Sequence, residues 1–254
     1  MNHAEPPHPA LSPNRAAANA FWRRLHAAAT EPYRAAGRFA WHFARGKLAR
    51  DPVFRSMLER GDFKAGGRVV DIGCGQGLLA SLLHSGALLA RQGPWPQAWP
   101  AAPAPTAYVG IELMPRDVQR TRASVGGLPL DSDFVCGDMR HTPLPPCDLV
   151  VILDVLHYVD PGAQDELLGR VRDAPLPHGR LLLRVGDRGD ALGSRISQWV
   201  DMAVTWVRGH RAPPTWGRTM PQWSAALQGL GFRVQPVPMS AGTPFANVLL
   251  VADL

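Results

Sequence analysis

The stretch Val69-Val70-Asp71-Ile72-Gly73-Cys74-Gly75-Gln76-Gly77-Leu78-Leu79 is where this chain is best equipped for chemistry. An apolar run enters three glycines at alternate positions, and an apolar helical pattern leaves them. Glycines remove side chains, so the backbone bends freely and approaches a ligand closely. Turns that hold a dinucleotide pyrophosphate space their glycines G-x-G-x-x-G, the third allowing close helix packing. Here the third glycine comes one place early, and Leu78 stands where that pattern wants Gly or Ala. Asp71 precedes the first glycine by two residues. A pyrophosphate gains nothing from a carboxylate there, whereas a ligand bearing a cationic amine or a sulfonium does.

His157 is the candidate general base. An imidazole titrates near neutral pH, and this one follows an aliphatic run, Asp148–Leu153, that reads as a central strand. Ligands of open α/β sheets bind just past such strand ends. A base at such a place could take the proton of a bound hydroxyl. A structural histidine in a turn is the competing reading, and Tyr158 is open in the same way. Cys74, Cys136 and Cys147 are too few and too scattered for a disulfide framework or a closed zinc site. They read as small buried fillers, and no metal is expected.

The elements that must position these residues alternate strand and helix from residue 66 onward. Strands are expected at 68–72, 108–113, 134–136, 148–153, 180–185, 232–237 and 248–252. Helices are expected at 78–89, 117–125, 165–171 and 221–230. Such βα repetition with two closing strands indicates a layered α/β sheet. Upstream, 15–30 reads as a helix, and Thr30-Glu31-Pro32 reads as a cap opening a second helix to about residue 49. Its apolar stripe is Ala36, Phe39, Ala40, Phe43 and Lys47, with Trp41 facing away. A short helix is expected at 53–59. Residues 90–106 carry five prolines with Trp95 and Trp99 and read as a long loop. Within 187–220, Ile196, Trp199, Val200, Ala203, Trp206 and Val207 form a helical stripe.

On these residues the chain resembles the class I S-adenosylmethionine (SAM)-dependent methyltransferases. An acidic residue followed by G-x-G-x-G is their first motif, and further motifs follow in order. Gly110-Ile111-Glu112 ends the second strand, and Cys136-Gly137-Asp138-Met139 ends the third. Cys147 to Tyr158 resembles the fourth motif, and Gly179 to Val185 the usual fifth strand. The resemblance covers residues 66–186 well and 221–254 loosely. It implies a seven-stranded Rossmann-like sheet with helices on both faces. It also implies SAM as cofactor, held by Asp71, Gly73, Cys74, Gly75, Gly77, Glu112, Leu113, Asp138, Met139 and Asp154. Glu112 would accept from the ribose hydroxyls. Asp138 would meet the adenine amino group, with Met139 against the ring. The plainer alternatives are a helix cap for Asp71, turn acids for Glu112 and Asp138, and a strand-end cap for Asp154. The proline–tryptophan loop lengthens the gap between Asp71 and Glu112 and leaves Glu112 less secure than Asp71.

Residues 33–54 bear a narrower resemblance to methyltransferases of bacterial aryl-polyene and pigment pathways. It implies a phenolic, aryl or acyl acceptor, free or presented on a carrier protein. Arg45 and Lys47 could then reach the SAM carboxylate. Charge distribution agrees with a specialised N-terminal segment. The formal net charge is +6, with 27 Lys+Arg against 21 Asp+Glu, and the whole excess lies in residues 1–65. An acidic partner would be steered there.

The expected organisation is an N-terminal helical extension, 1–65, acting as a cap. A SAM-binding domain, 66–254, would follow, with a lid insert at 187–220. Trp41, Trp199 and Trp206 are candidate lid or pocket residues. Methyl transfer to an oxygen, or secondarily a carbon, of a small aromatic or acyl acceptor is the expected reaction. Asp154-Val155-Leu156-His157-Tyr158 stands where an Asn-Pro-Pro-Tyr segment would point to nitrogen methylation. No RNA-binding module is visible, so nucleic acid is not the expected partner. An RNA methyltransferase, or a SAM-fold binding protein without catalysis, would instead use the basic helices. A nicotinamide oxidoreductase is disfavoured by the glycine spacing, and a membrane-surface protein would need Phe21, Trp22, Phe39 and Phe43 beside the arginines. No secretory signal and no apolar run of about 20 residues are visible, so a cytoplasmic protein is expected.

Overall fold

The computed structural model describes residues 13–186, 216–240 and 247–254. Four helical pieces come first: α1 (Pro13–Thr30), a 3-10 turn (Glu31–Arg34), α2 (Arg38–Arg50) and α3 (Pro52–Arg60). Strands and helices then alternate: β1 (Arg68–Ile72), α4 (Leu78–Gln92), β2 (Ala107–Glu112), α5 (Pro115–Val125), β3 (Ser132–Cys136) and β4 (Cys147–Leu153). A second 3-10 turn (Leu156–Tyr158), α6 (Pro161–Asp173), β5 (Pro175–Gly186), α7 (Met220–Gly229), β6 (Arg233–Pro238) and β7 (Asn247–Asp253) follow. The sheet order is β3-β2-β1-β4-β5-β7-β6. β7 is antiparallel to both neighbours, and the other pairings are parallel.

Strand order reverses between β1 and β4. Their carboxyl ends therefore flank a crevice where the outgoing connections part, the usual ligand position in open α/β sheets. The central strands β1, β4 and β5 are mostly apolar on both faces because helices cover both. Val69, Leu149, Val151 and Leu182 face one apolar cluster with α1 to α5. Val70, Val150, Ile152, Leu181 and Leu183 face the other, with α6 and α7. Alternation by single residues between two cores is what a strand's two-residue period produces. No described helix is long and apolar enough to cross a membrane.

Two local expectations are corrected. Thr30 does not cap a second helix: its hydroxyl donates back to the His26 and Ala27 carbonyls of α1 at 2.9 and 3.3 Å. A 3-10 turn intervenes, and Gly37, at φ 97°, precedes α2. The buried face of α2 is Ala40, Ala44 and Leu48, while Phe39 is exposed. Small side chains let α2 approach its neighbours closely, and that close contact, rather than aromatic bulk, sets its rotation. Asp51 caps α3 by accepting from the Val53 amide at 3.1 Å, as an Asp ahead of a helix-opening proline does.

The 90–106 segment packs against the body. Phe21, Trp95 and Trp99 form an edge-to-face cluster with centroids 4.9 to 5.7 Å apart. Pro100 lies 2.6 Å from where a Cβ on Gly61 would be, and Pro103 lies 3.1 Å from that position on Gly86. The loop then closes on the residues that lead into β1: Gly66 donates to Ala104, and Thr106 donates to Gly67 at 3.0 Å.

Candidate functional site

The turn after β1 is built as a backbone cradle. Gly73, Gly75 and Gly77 have φ of 75, 57 and 71°, a region costly for residues with a Cβ. Gly73 also lacks room for a side chain, since a Cβ would stand 2.5 Å from Val155. A Cβ on Gly77 would meet Thr121 at 2.7 Å. Around Gly75 there is open space, with no atom within 4 Å of that position. So two glycines serve packing beneath the turn, and the middle one clears its accessible side.

Four neighbours brace the cradle. The Gly73 and Cys74 amides both donate to the Ile111 carbonyl, at 2.8 and 3.1 Å. Thr121 donates to the Gly75 carbonyl at 3.0 Å, and Tyr33 to the Gln76 carbonyl at 2.8 Å. Gln76 in turn donates to Asp117 at 3.1 Å. Tyr33, Gln76 and Asp117 carry no local signal of this role, because their partners lie far away in the sequence.

Three buried acids gather at this turn: Asp71, Glu112 and Asp117, with 4, 9 and 3% exposure. Arg120 pairs with Asp117 at 2.9 Å. Asp71 accepts from the Tyr108 hydroxyl within the sheet. Burial pushes the Asp71 carboxyl up to about 7, the Tyr108 bond opposes this, and the nearby Glu112 adds to it. Burial and the same two acids raise the Cys74 thiol well above its ordinary value, so it stays protonated. A surplus of buried carboxylates favours a cationic ligand over a pyrophosphate.

The ends of β2 and β3 lie alongside. Glu112 accepts from the Gly75 amide at 2.9 Å and from the Met114 amide at 2.8 Å. The longer gap before Glu112 thus leaves its carboxylate directly on the glycine turn. Leu113, next in the chain, is 60% exposed, an apolar surface at a strand's carboxyl end. Asp138 is gripped by Arg140, whose NH2 lies 2.6 Å and backbone amide 2.9 Å away. Those bonds hold its carboxyl below the usual range. The Met139 carbonyl accepts from Arg170. Cys147 is a buried filler as expected, Cys74 is half-buried, and Cys136 is exposed, a correction caused by its place at the end of the edge strand β3.

Asp154 follows the last residue of β4 with φ 58°, the only positive value among described non-glycine residues. Its carboxylate accepts from Arg184 of β5, Nε to Oδ1 at 2.8 Å and NH2 to Oδ2. Arg184, at 2% exposure, also binds Asp51 through NH1 and through NH2 at 2.7 Å. Lys47 approaches Asp51 at 2.8 Å and Asp154 at 3.8 Å. Its ammonium is therefore engaged by carboxylates of the protein itself, and Arg45 lies over the Trp41 ring at 4.9 Å. The signal for Arg184 was a single charge inside Leu181-Leu182-Leu183-Arg184-Val185. A charge in a strand buried on both faces has to be paired.

His157 lies in the 3-10 turn just past β4, its ring 4.1 Å from that of Tyr158. Its carbonyl accepts from the Trp216 amide at 2.8 Å. Gln164, fully buried, directs Nε2 at the carbonyls of Leu156, Val159 and Trp216, at 3.1, 3.0 and 3.1 Å. Trp199 and Trp206 lie outside the described residues. Among the described residues, no group of three metal-ligating side chains occurs.

An open sheet with a glycine cradle, buried acids and a strand-end histidine at its switch point defines a class I, Rossmann-like methyltransferase architecture. Comparison with known families places the chain accordingly. Residues 40–237 match the family described as Methyltransferase domain, and the chain belongs to that family, whose cofactor is SAM. Over 50 residues it is 50% identical to acetylserotonin O-methyltransferase of Mus musculus, a match covering 20% of this chain and 13% of that protein. An O-methyltransferase family protein from Burkholderia thailandensis superposes with TM-score 0.59 at 19% identity, over 83% of this chain and 56% of that one. This chain thus spans little more than half of that protein. The magnesium protoporphyrin IX methyltransferase of Synechocystis PCC 6803, solved with S-adenosylhomocysteine (SAH), superposes with TM-score 0.55 at 17% identity, over 93 and 94% of the two chains.

Proposed function

We propose that the protein transfers the methyl group of SAM to an oxygen, or secondarily a carbon, of a small aromatic or acyl acceptor. The carrying observation is the charge of the cradle. Buried acids meeting a glycine turn suit the sulfonium and ammonium of SAM and would repel a pyrophosphate. The Gly75 opening receives the cofactor beside the turn, and Glu112, held by two backbone amides, keeps lone pairs for the ribose hydroxyls. Leu113 and Met139 offer apolar surface to the adenine, with Asp138 at its edge. Asp71 lies beneath the turn and contributes through its charge and its hold on β2.

SAM supplies an electrophilic methyl with a neutral thioether as leaving group. The protein's share is to orient, to exclude water and to move one proton. Residues around β4 bring the acceptor oxygen in line with the methyl, and His157 takes the hydroxyl proton as the carbon–oxygen bond forms. Electrostatic positioning of this kind is enough for a reaction that exchanges a carbon–sulfur bond for a carbon–oxygen bond while one proton passes to the imidazole. The N-terminal helices would cover the acceptor, which is free or presented on an acidic carrier in the cytoplasm, and the lid expected at 187–220 lies, up to residue 215, outside the described residues. The name of the mouse relative, an acetylserotonin O-methyltransferase, supports an aromatic acceptor. Within the N-terminal segment Arg34, Lys47, Arg55 and Arg60 pair with Glu31, Asp51, Glu59 and Asp62, and the excess of positive charge that remains suits an acidic partner.

The deciding experiment combines SAH calorimetry with transfer of tritiated methyl from SAM into a panel of phenols and hydroxybenzoates. Micromolar SAH binding and label in an ether or ester product are expected. A folded protein that binds neither SAM nor SAH would overturn the reading.

A further inference from the structure

We propose that Arg184 is a positioning residue for the SAM cradle, acting through the backbone of Asp154. This rests on the SAM reading above. Asp154 adopts a left-handed conformation, which costs an aspartate less than most residues but more than a glycine. Two contacts oppose its relaxation: the fork of Arg184 on the carboxylate, and the Asp154 amide donating to the Arg184 carbonyl at 3.3 Å. The conformation sets where the chain goes next. Val155 is delivered against Gly73, into the space that a Cβ on that glycine would fill. The turn bearing His157 begins one residue further on. One guanidinium thereby seats the first glycine of the cradle from below and aims the strand end that carries the candidate base.

The other face of Arg184 explains its burial. Asp51, capping α3, accepts from both of its terminal nitrogens. Burial alone would raise the Asp51 carboxyl, but its bonds and attraction to Arg184, with help from Lys47, hold it well below the usual range. Two carboxylates, one guanidinium and one ammonium balance in charge. The N-terminal helices are thus bolted to the strand end through the same group. A lysine keeps the charge but cannot present a planar fork to two carboxylates.

The test uses the full chain and two readouts, SAH affinity by calorimetry and amide hydrogen exchange at residues 154–158. Arg184→Met is expected to weaken SAH about tenfold and to speed exchange in that segment, within the range for coupled neighbours. Adding Asp154→Gly supplies a residue at ease in the left-handed region and removes the stranded carboxylate. Protection from exchange at 155–158 should return to within about threefold of wild type, while denaturant stability stays low because Asp51 keeps only Lys47 as a partner. A purely structural Arg184 would show no such rescue. Wild-type SAH affinity in Arg184→Met, or a double variant no better than the single, overturns the proposal. If Arg184→Met does not fold, Arg184→Lys serves, with the same loss and the same Asp154→Gly rescue expected. Should the wild type bind no SAH, the SAM reading falls, and exchange at 154–158 alone decides the role of Arg184.

Discussion

The Tyr33 hydroxyl donates to the backbone carbonyl of Gln76 over 2.8 Å, joining the N-terminal segment to the middle of the glycine turn. Both residues are buried. Tyr33→Phe deletes this bond without opening a cavity. It should cost about 1 to 2 kcal/mol of stability in urea unfolding, the usual penalty for an orphaned buried carbonyl. SAH affinity should fall by a few fold, because the cradle loses a brace rather than a ligand contact. Unchanged affinity would show that the turn is held without Tyr33, by its bonds to Ile111, Glu112, Thr121 and Asp117.

Gly75 and Gly77 separate packing from binding. Gly77→Ala forces a Cβ onto Thr121 and should lower the thermal midpoint by several degrees through strain and overpacking. Gly75→Ala meets no protein atom, so only the left-handed strain of about 1 kcal/mol applies. It should unfold near the wild-type temperature and yet bind SAH at least tenfold more weakly. Normal binding by Gly75→Ala would place the cofactor elsewhere.

Asp71 predicts a specific pH dependence. Its carboxyl is pushed up to about 7 in the fold, against about 4 in an unfolded chain. Between these values the native state holds a proton that the unfolded state has released. Stability from this group is therefore greatest below pH 4, falls as pH rises to 7, and is level above. The difference between wild type and Asp71→Asn, measured by urea unfolding at pH 5 and pH 8, should change by about 2 to 4 kcal/mol, with the variant relatively better at pH 8. A cationic ligand prefers the ionised form, so SAM should bind more tightly from pH 6 to pH 8 in wild type and less so in Asp71→Asn.

Gln164 should behave as a lock on the strand end. Gln164→Leu keeps the volume but removes the two N–H donors that the Leu156, Val159 and Trp216 carbonyls share. A loss of about 2 to 3 kcal/mol is expected, with slower methyl transfer and little change in SAH affinity, since the lock holds the His157 turn and Trp216 rather than the cradle. Equal losses in both would mean that β1 and β4 loosen together.

Much of this was legible in the sequence because it is local. The strand before Gly73 and the aliphatic run at Asp148–Leu153 are short-range patterns, and each β-α unit repeats the same grammar. The side of α2 that is buried was not legible. Ala40 and Ala44 outweigh Phe39 only once the neighbouring helices are in place. Nor were the partners of Arg184 and Tyr33, 133 and 43 residues away respectively. Such pairs are products of the tertiary fold, and a lone charge or phenol announces only that some partner must exist.

The docked proline–tryptophan loop has a consequence for how this architecture varies. Its C-terminal end is fastened at the edge where strands enter the sheet, with Pro100 and Pro103 seated on glycines. The six residues of β2 put about 16 Å between that edge and Glu112. Residues gained or lost between α4 and β2 are absorbed at the blunt end of the molecule. The chain can lengthen there by increments without moving the carboxylate that meets Gly75.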